Sequence, residues 1–182
     1  RSTKKRWINW RGPDSVKPTT RVIGIDPGTR FTGWGIVDAV GGSITFVDAG
    51  VINVSNIEAL PDRLVQIYEQ LTAVIARHQP GAAAAEGLFH HKNSMSALKL
   101  GHARGVVIMA LARAGLVVGE YAPGEVKRAV AGYGRAGKEE VARMVSLQLG
   151  PIGEHKRADA TDALAVAMCH ALMLGTAARL SL

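Results

Sequence analysis

The residues best placed to do chemistry in this sequence are four carboxylates in three places. Asp26 closes the apolar run Val22-Ile23-Gly24-Ile25, and Pro27-Gly28-Thr29 turns the chain directly after it. Glu86 ends the small-residue run "GAAAA" at 81–85, and Asp159 and Asp162 stand at i and i+3 near the start of a helical stretch, on one face. Each has a plain alternative. Asp26 suits an Asx-turn before Pro-Gly, and Glu86 is an ordinary strand-end charge. The Asp pair suits a helix start, where the dipole favours acids by a few tenths to ~1 kcal/mol. Taken together they point elsewhere. If the strands ending at Asp26 and Glu86 are neighbours, both acids reach one edge of a sheet, and the last helix can bring the Asp pair over it. Four carboxylates so close repel unless cations neutralise them. Hard oxygen donors suit Mg²⁺ or Mn²⁺, and two such ions ~3.5–4 Å apart activate water and stabilise a leaving oxygen in phosphodiester cleavage. No Ser/His or Cys/His pairing suggests a side-chain nucleophile.

Other residues read as contacts to a polyanion. Phe89, three positions after Glu86 in "EGLFHHKNS", is either a core aromatic or an exposed loop ring able to stack on a base for ~1–3 kcal/mol. His90, His91, Lys92 and Asn93 extend that segment; the two histidines lack the second pair or Cys set that zinc requires. Lys127 and Lys138, flanked by Arg128 and Arg135, form either a solvated helix face or a phosphate-binding patch. Lys156 and Arg157, just before the Asp pair, could flank a scissile phosphate.

Charge alone gives modest support for a nucleic-acid partner. The chain carries 22 Lys and Arg against 15 Asp and Glu, but residues 1–20 hold six of the cations and only Asp14. The expectation is a basic, unstructured tail at 1–20 and one domain over 21–182. A hydrophobic content of 47% over 182 residues suffices for a real core. Cys169 is alone, which excludes an internal disulfide and suits a reducing cytosol. Arg113 and His170 interrupt the longest apolar runs, so no membrane span and no secretory leader are expected.

Three strands, 21–26, 32–38 and 44–52, joined by Gly-rich turns, predict an antiparallel meander. A helix from Leu60 to Pro80 follows, then a short strand ending at Glu86. A long helix starts at an Asn93/Ser94 cap and ends at Gly115; "LVVGEYA" is the fifth strand, and three helices complete the chain. Such an order implies an α/β fold, a mixed sheet with helices on its faces. Ala97, Gly101 and Gly105 recur every four positions on the long helix, a smooth ridge for packing against the sheet or against a second copy.

Four blocks in order, "GIDPGTRFTGWGIV", "AAEGLF", "KNSMSALKLGHARGV" and "ADATDALAVA", resemble the RuvC family of bacterial Holliday-junction resolvases, over residues 21 to about 175. The resemblance implies an RNase H-like fold, an antiparallel three-strand meander plus parallel strands flanked by helices. It also implies a homodimer that nicks two strands of four-way junction DNA symmetrically with Mg²⁺, two ions per active site, Mn²⁺ being a substitute. Carried over by position, Asp26, Glu86, Asp159 and Asp162 are the catalytic acids and metal ligands; some members have His where this chain has Asp159. Phe89, Lys92 and Asn93 match a loop that enters the junction, and Lys127 and Lys138 match basic positions implicated in DNA contact. Cooperation with the branch-migration proteins RuvA and RuvB and a cytoplasmic location follow from the same resemblance. Two other classes stay in view: a non-cleaving junction scaffold, and an actin-like nucleotide-binding module, which would need a second phosphate loop and a longer chain. An RNase H acting on hybrids would share the fold.

Overall fold

Alternation along the first strand sets the two layers of the molecule, here a computed structural model that describes residues 19–87, 94–152 and 157–180. In β1 (Thr20–Asp26), Val22 joins one core and Ile23 and Ile25 the other, as a period of two requires. β1 pairs antiparallel with β2 (Phe31–Val40), which pairs antiparallel with β3 (Ser43–Asn53). After α1 (Leu60–His78), β4 (Ala82–Glu86) returns parallel beside β1. After α2 (Ser94–Arg113), β5 (Val118–Tyr121) adds parallel to β4, giving the order β3-β2-β1-β4-β5. The chain ends with α3 (Pro123–Ala131), α4 (Lys138–Leu149) and α5 (Ala158–Leu180).

One face of the sheet is covered by α1 and α2, whose Ile67, Leu71, Val107 and Leu111 pack on Ile23, Ile25, Ala83 and Ala85. The other is covered by α5, with α3 and α4 outside it; Val126, Val130, Val145 and Leu164 join Val22 and Ala84. The mixed sheet and its meander are therefore as expected. Cys169 is buried in this second core.

The α5 side has no room for side chains at three sheet positions. A Cβ on Gly24 would lie 2.3 Å from the Ala163 carbonyl oxygen, one on Gly35 2.7 Å from the Leu164 amide nitrogen, and one on Gly33 1.9 Å from the Asp159 carbonyl oxygen. Gly24 and Gly35 are cross-strand partners, and Gly33 is the partner of Asp26. Glycine here lets a helix backbone rest directly on a sheet backbone.

Three expectations change in detail. The β2–β3 hairpin is tighter than expected, since Gly41 and Gly42 take φ of 58° and 103°, the left-handed pair that suits a two-residue turn. β5 starts only at Val118, because Gly115 (φ 77°) terminates α2 and the Leu116 amide donates back to the Leu111 carbonyl at 3.2 Å. Two helices, Ser94–Arg113 and Ala158–Ala177, are long and apolar enough to cross a membrane by length and composition, contrary to the expectation of none. Their many Ala, Leu, Val and Met residues outweigh the isolated charges; the second is a core helix, 61% buried within the fold.

Of the two partners expected for the Ala97/Gly101/Gly105 ridge, the sheet is excluded. α2 buries Ala103, Val107, Ala110 and Leu111 instead. A Cβ on Gly101 or Gly105 would meet nothing within 4 Å. The ridge floors an open apolar groove with Leu64 of α1 and Leu98, Val106 and Met109 of α2.

Candidate active site

Period-two geometry explains why Asp26 and Glu86 meet. Val22, Gly24 and Asp26 share the α5 face of β1; Ala82, Ala84 and Glu86 share the same face of β4. The parallel register pairs Gly24 with Ala84 and Ile25 with Ala85, so one step further the two acids come level at the carboxyl ends of neighbouring strands. The turn after Asp26 is closed by Thr32, whose hydroxyl donates to the Gly28 carbonyl at 2.9 Å and accepts from the Gly28 amide at 3.3 Å. The Asp26 carboxyl is thus not needed as a turn cap, and its hydrogen bond goes to Glu86.

α5 supplies the other two acids. Because Gly33 admits the helix backbone beside Asp26, the first turn of α5 lies over this corner of the sheet, and Asp159 and Asp162 bear electrostatically on Asp26. Burial, then Glu86, Asp162 and Asp159, push the Asp26 pKa from 3.8 up to about 7, with Lys138 opposing. Glu86 is raised too, chiefly by burial and then by Asp162; Lys138, Lys127 and the bond from Asp26 oppose the rise. Near neutrality the neutral form of Asp26 is therefore favoured far more than that of an ordinary carboxyl.

Lys138, at the start of α4, places Nζ 3.0 Å from Asp162 Oδ2, and that bond raises its own pKa. Expected to face DNA, it is also an internal counter-ion. Lys127 on α3 is half-buried and close enough to act on Glu86. Arg157 Nε stands 3.5 Å from Asp159 Oδ2. All four acids, Lys127, Lys138 and Arg157 thus gather at one corner. Phe89, His90, His91, Lys92, Asn93 and Lys156 lie outside the described residues, as does the tail up to residue 18, so their expected roles have no structural counterpart.

Sequence reasoning missed Arg104 of α2. Its guanidinium donates to the Glu86 carbonyl oxygen at 3.4 Å and pairs with the Glu120 carboxylate of β5, fixing the end of β4 from the opposite face. The sequence signal was weak, because Arg104 is one of several basic residues on α2, with Lys99, His102 and Arg113.

Among the described residues, no three His, Cys, Asp or Glu side chains already stand in ion-holding geometry. Their chemistry nevertheless fits a hard divalent cation. All four donors are carboxylates, the other three disfavour ionisation of Asp26, and Lys138 and Arg157 pair with Asp162 and Asp159.

Comparison with known proteins adds the following. The family model "Crossover junction endodeoxyribonuclease RuvC" matches residues 22–170. A protein of that name from Syntrophotalea carbinolica is 50% identical over 151 residues, 83% of this chain and 93% of the relative. Another from Chloroflexus aggregans is 48% identical over 159 residues, 87% of this chain and 97% of the relative. Thermus thermophilus RuvC in complex with Holliday junction substrate superposes with a TM-score of 0.80 at 37% identity, covering 87% of this chain and 96% of that one. The yeast mitochondrial resolvase Ydc2, 16% identical with a TM-score of 0.60 over 90% of this chain and 83% of its own, shares the fold.

Proposed function

The chain belongs to the RuvC family of crossover junction endodeoxyribonucleases, and from that membership and the carboxylate corner we propose that it resolves Holliday junctions by metal-dependent hydrolysis of two strands. The observation that carries the reading is the convergence of Asp26 and Glu86, brought level by strand register, with Asp159 and Asp162 delivered by α5. These four side chains would hold Mg²⁺, two ions per site, with Mn²⁺ as a substitute. When bound, such ions supply Lewis-acid stabilisation of the phosphate and activation of water.

The chain's own residues do the rest. Burial first, and then the charges of Glu86, Asp162 and Asp159, raise the Asp26 pKa to about 7, and a cation held by these carboxylates would offset the charge part of that rise and favour the ionised form. Glu86 is held in place through its backbone by Arg104. With Asp162 on a cation, Lys138 would be free for a DNA phosphate, and Lys127, which also acts on Glu86, would make a second backbone contact; both would position the strand without reading bases. Phe89, Lys92 and Asn93 would engage the junction centre.

Two strands must be cut, so the working form is a homodimer with two sites, and the groove over Gly101 and Gly105 is part of its interface. We further propose cooperation with RuvA and RuvB in the cytoplasm. The test is nicking of a synthetic four-way junction with Mg²⁺, beside duplex and RNA–DNA hybrid controls. Paired, symmetric nicks in the junction alone are expected. Binding without nicking would make the protein a scaffold, and preference for hybrid would make it an RNase H.

A further inference from the structure

Arg157 is a cation in an electrostatically awkward place. Its carbonyl accepts the Ala160 amide at 3.0 Å and the Thr161 amide at 3.4 Å, so it opens α5, where the helix dipole disfavours positive charge. Helix stability therefore does not account for it. Two contacts hold the side chain: its guanidinium carbon lies 3.8 Å from the centroid of the Phe31 ring, and Nε stands 3.5 Å from Asp159 Oδ2. That separation is an ion pair rather than a good hydrogen bond, and 53% of the side chain remains exposed.

We propose that Arg157 is a positioning residue with two partners in turn, neutralising Asp159 while the carboxylates hold no metal and engaging a DNA phosphate once Asp159 is taken. The inference rests on the metal-dependent reading above and adds a residue to it. An exposed arginine–carboxylate pair and an exposed cation–π contact are each weak. Leaving Asp159 is therefore cheap, and the Phe31 ring keeps the guanidinium near the corner whichever anion it faces. Phe31 is itself fixed, because it begins β2 directly after the Gly28 turn, with its carbonyl oxygen 2.0 Å from where a Gly28 Cβ would stand. A planar guanidinium can stack on the ring and face a phosphate with its edge, which a lysine cannot do. Lys138, by contrast, is a flexible point charge on Asp162.

The experiment uses the full chain and two readouts that need no turnover. Mn²⁺ affinity is measured calorimetrically without DNA, and junction affinity against salt is measured on a four-way junction with non-cleavable linkages at the crossover, with Mn²⁺ and with chelator. Arg157→Gln should raise Mn²⁺ affinity about 2- to 5-fold, the value of an exposed pair. It should lower the salt slope of junction binding in Mn²⁺ by about one counter-ion, and by less in chelator. In an Asp159→Asn background the gain in Mn²⁺ affinity should vanish. Should Arg157→Gln melt early, Phe31→Leu gives the second reading, a smaller salt slope in Mn²⁺ from loss of the ring. Unchanged Mn²⁺ affinity, a gain that persists without Asp159, or an unchanged salt slope would each overturn the proposal. Wild-type protein that neither binds Mn²⁺ nor nicks junctions would sink the parent reading, whereas wild type that does both beside indifferent variants sinks only the role of Arg157.

Discussion

The Asp26 carboxyl has a folded-state pKa of about 7 against an ordinary 3.8, so between those values the folded protein binds more protons than the unfolded chain. Its contribution to stability is full below about pH 4 and is lost as pH rises through about 7. In chelator, the Asp26 contribution should fall with a slope of at most ~1.4 kcal/mol per pH unit across that window and level off above it, with Glu86, also raised, adding to the fall. Urea melts at half-unit pH steps read this directly, and Asp26→Asn should flatten the curve; an equally steep variant would mean that another group carries the proton. The same substitution keeps the side chain's shape and removes the charge that holds a cation. It should leave junction binding nearly intact and slow cleavage about 100-fold or more, as expected for losing a metal's stabilisation of several kcal/mol. Near-normal cutting by Asp26→Asn with Mg²⁺ would reduce the residue to a turn position. The acids themselves were legible in the sequence because Asp26 and Glu86 each end an apolar run and Asp159 and Asp162 share one face at a helix start. Their counter-ions were not, since Lys138 comes 24 residues before Asp162 and only folding makes the 3.0 Å pair.

At the scale of elements, the site depends on how closely α5 lies on the sheet. Patterns of apolar residues revealed the strands and helices, because a period of two or 3.6 is written in side chains. They did not reveal the close approach at Gly24, Gly33 and Gly35, because glycine has no side chain to pattern. β4 is hard to read as a strand for a related reason. Its alanines have low strand propensity, and it is a strand because it lies between β1 and β5, closely covered on both faces. Gly33→Ala tests the close approach. Its new Cβ would sit 1.9 Å from the Asp159 carbonyl oxygen, backbone that cannot swing aside, so the first turn of α5 must lift away. A destabilisation of about 1–3 kcal/mol is expected from overpacking. Mn²⁺ affinity should fall further than this, because the lift moves Asp159 and Asp162 away from Asp26. If calorimetry shows normal Mn²⁺ binding to a folded Gly33→Ala protein, the helix does not set the geometry of the acids.

For the whole molecule, the open question of the ridge is answered in part by its surroundings. Ala97, Gly101 and Gly105 stood out in the sequence through their spacing, which fits two partners equally well, and only the packed fold shows that the sheet is not one of them. What remains is a largely apolar groove between α1 and α2, lined by Leu64, Val106 and His102 and by exposed Leu98 and Met109. A patch of this kind on a protein that must cut two strands fits a second copy of the chain, joined by a two-fold axis that makes the same surface serve both sides. Gly101→Glu separates assembly from folding. The position has open space for a Cβ and lies within α2, so the monomer gains up to ~1 kcal/mol of helix propensity and suffers no clash. In the dimer the same change puts a carboxylate into an apolar seam and doubles it by symmetry. Sedimentation at micromolar concentration should therefore show wild-type dimers and variant monomers, while the variant's melting temperature, read where both are monomeric, stays level or rises. The variant should still nick single strands but lose paired, symmetric cuts. A variant that sediments as a dimer would remove the groove from the interface, and a wild type that stays monomeric with junction present would remove the dimer itself.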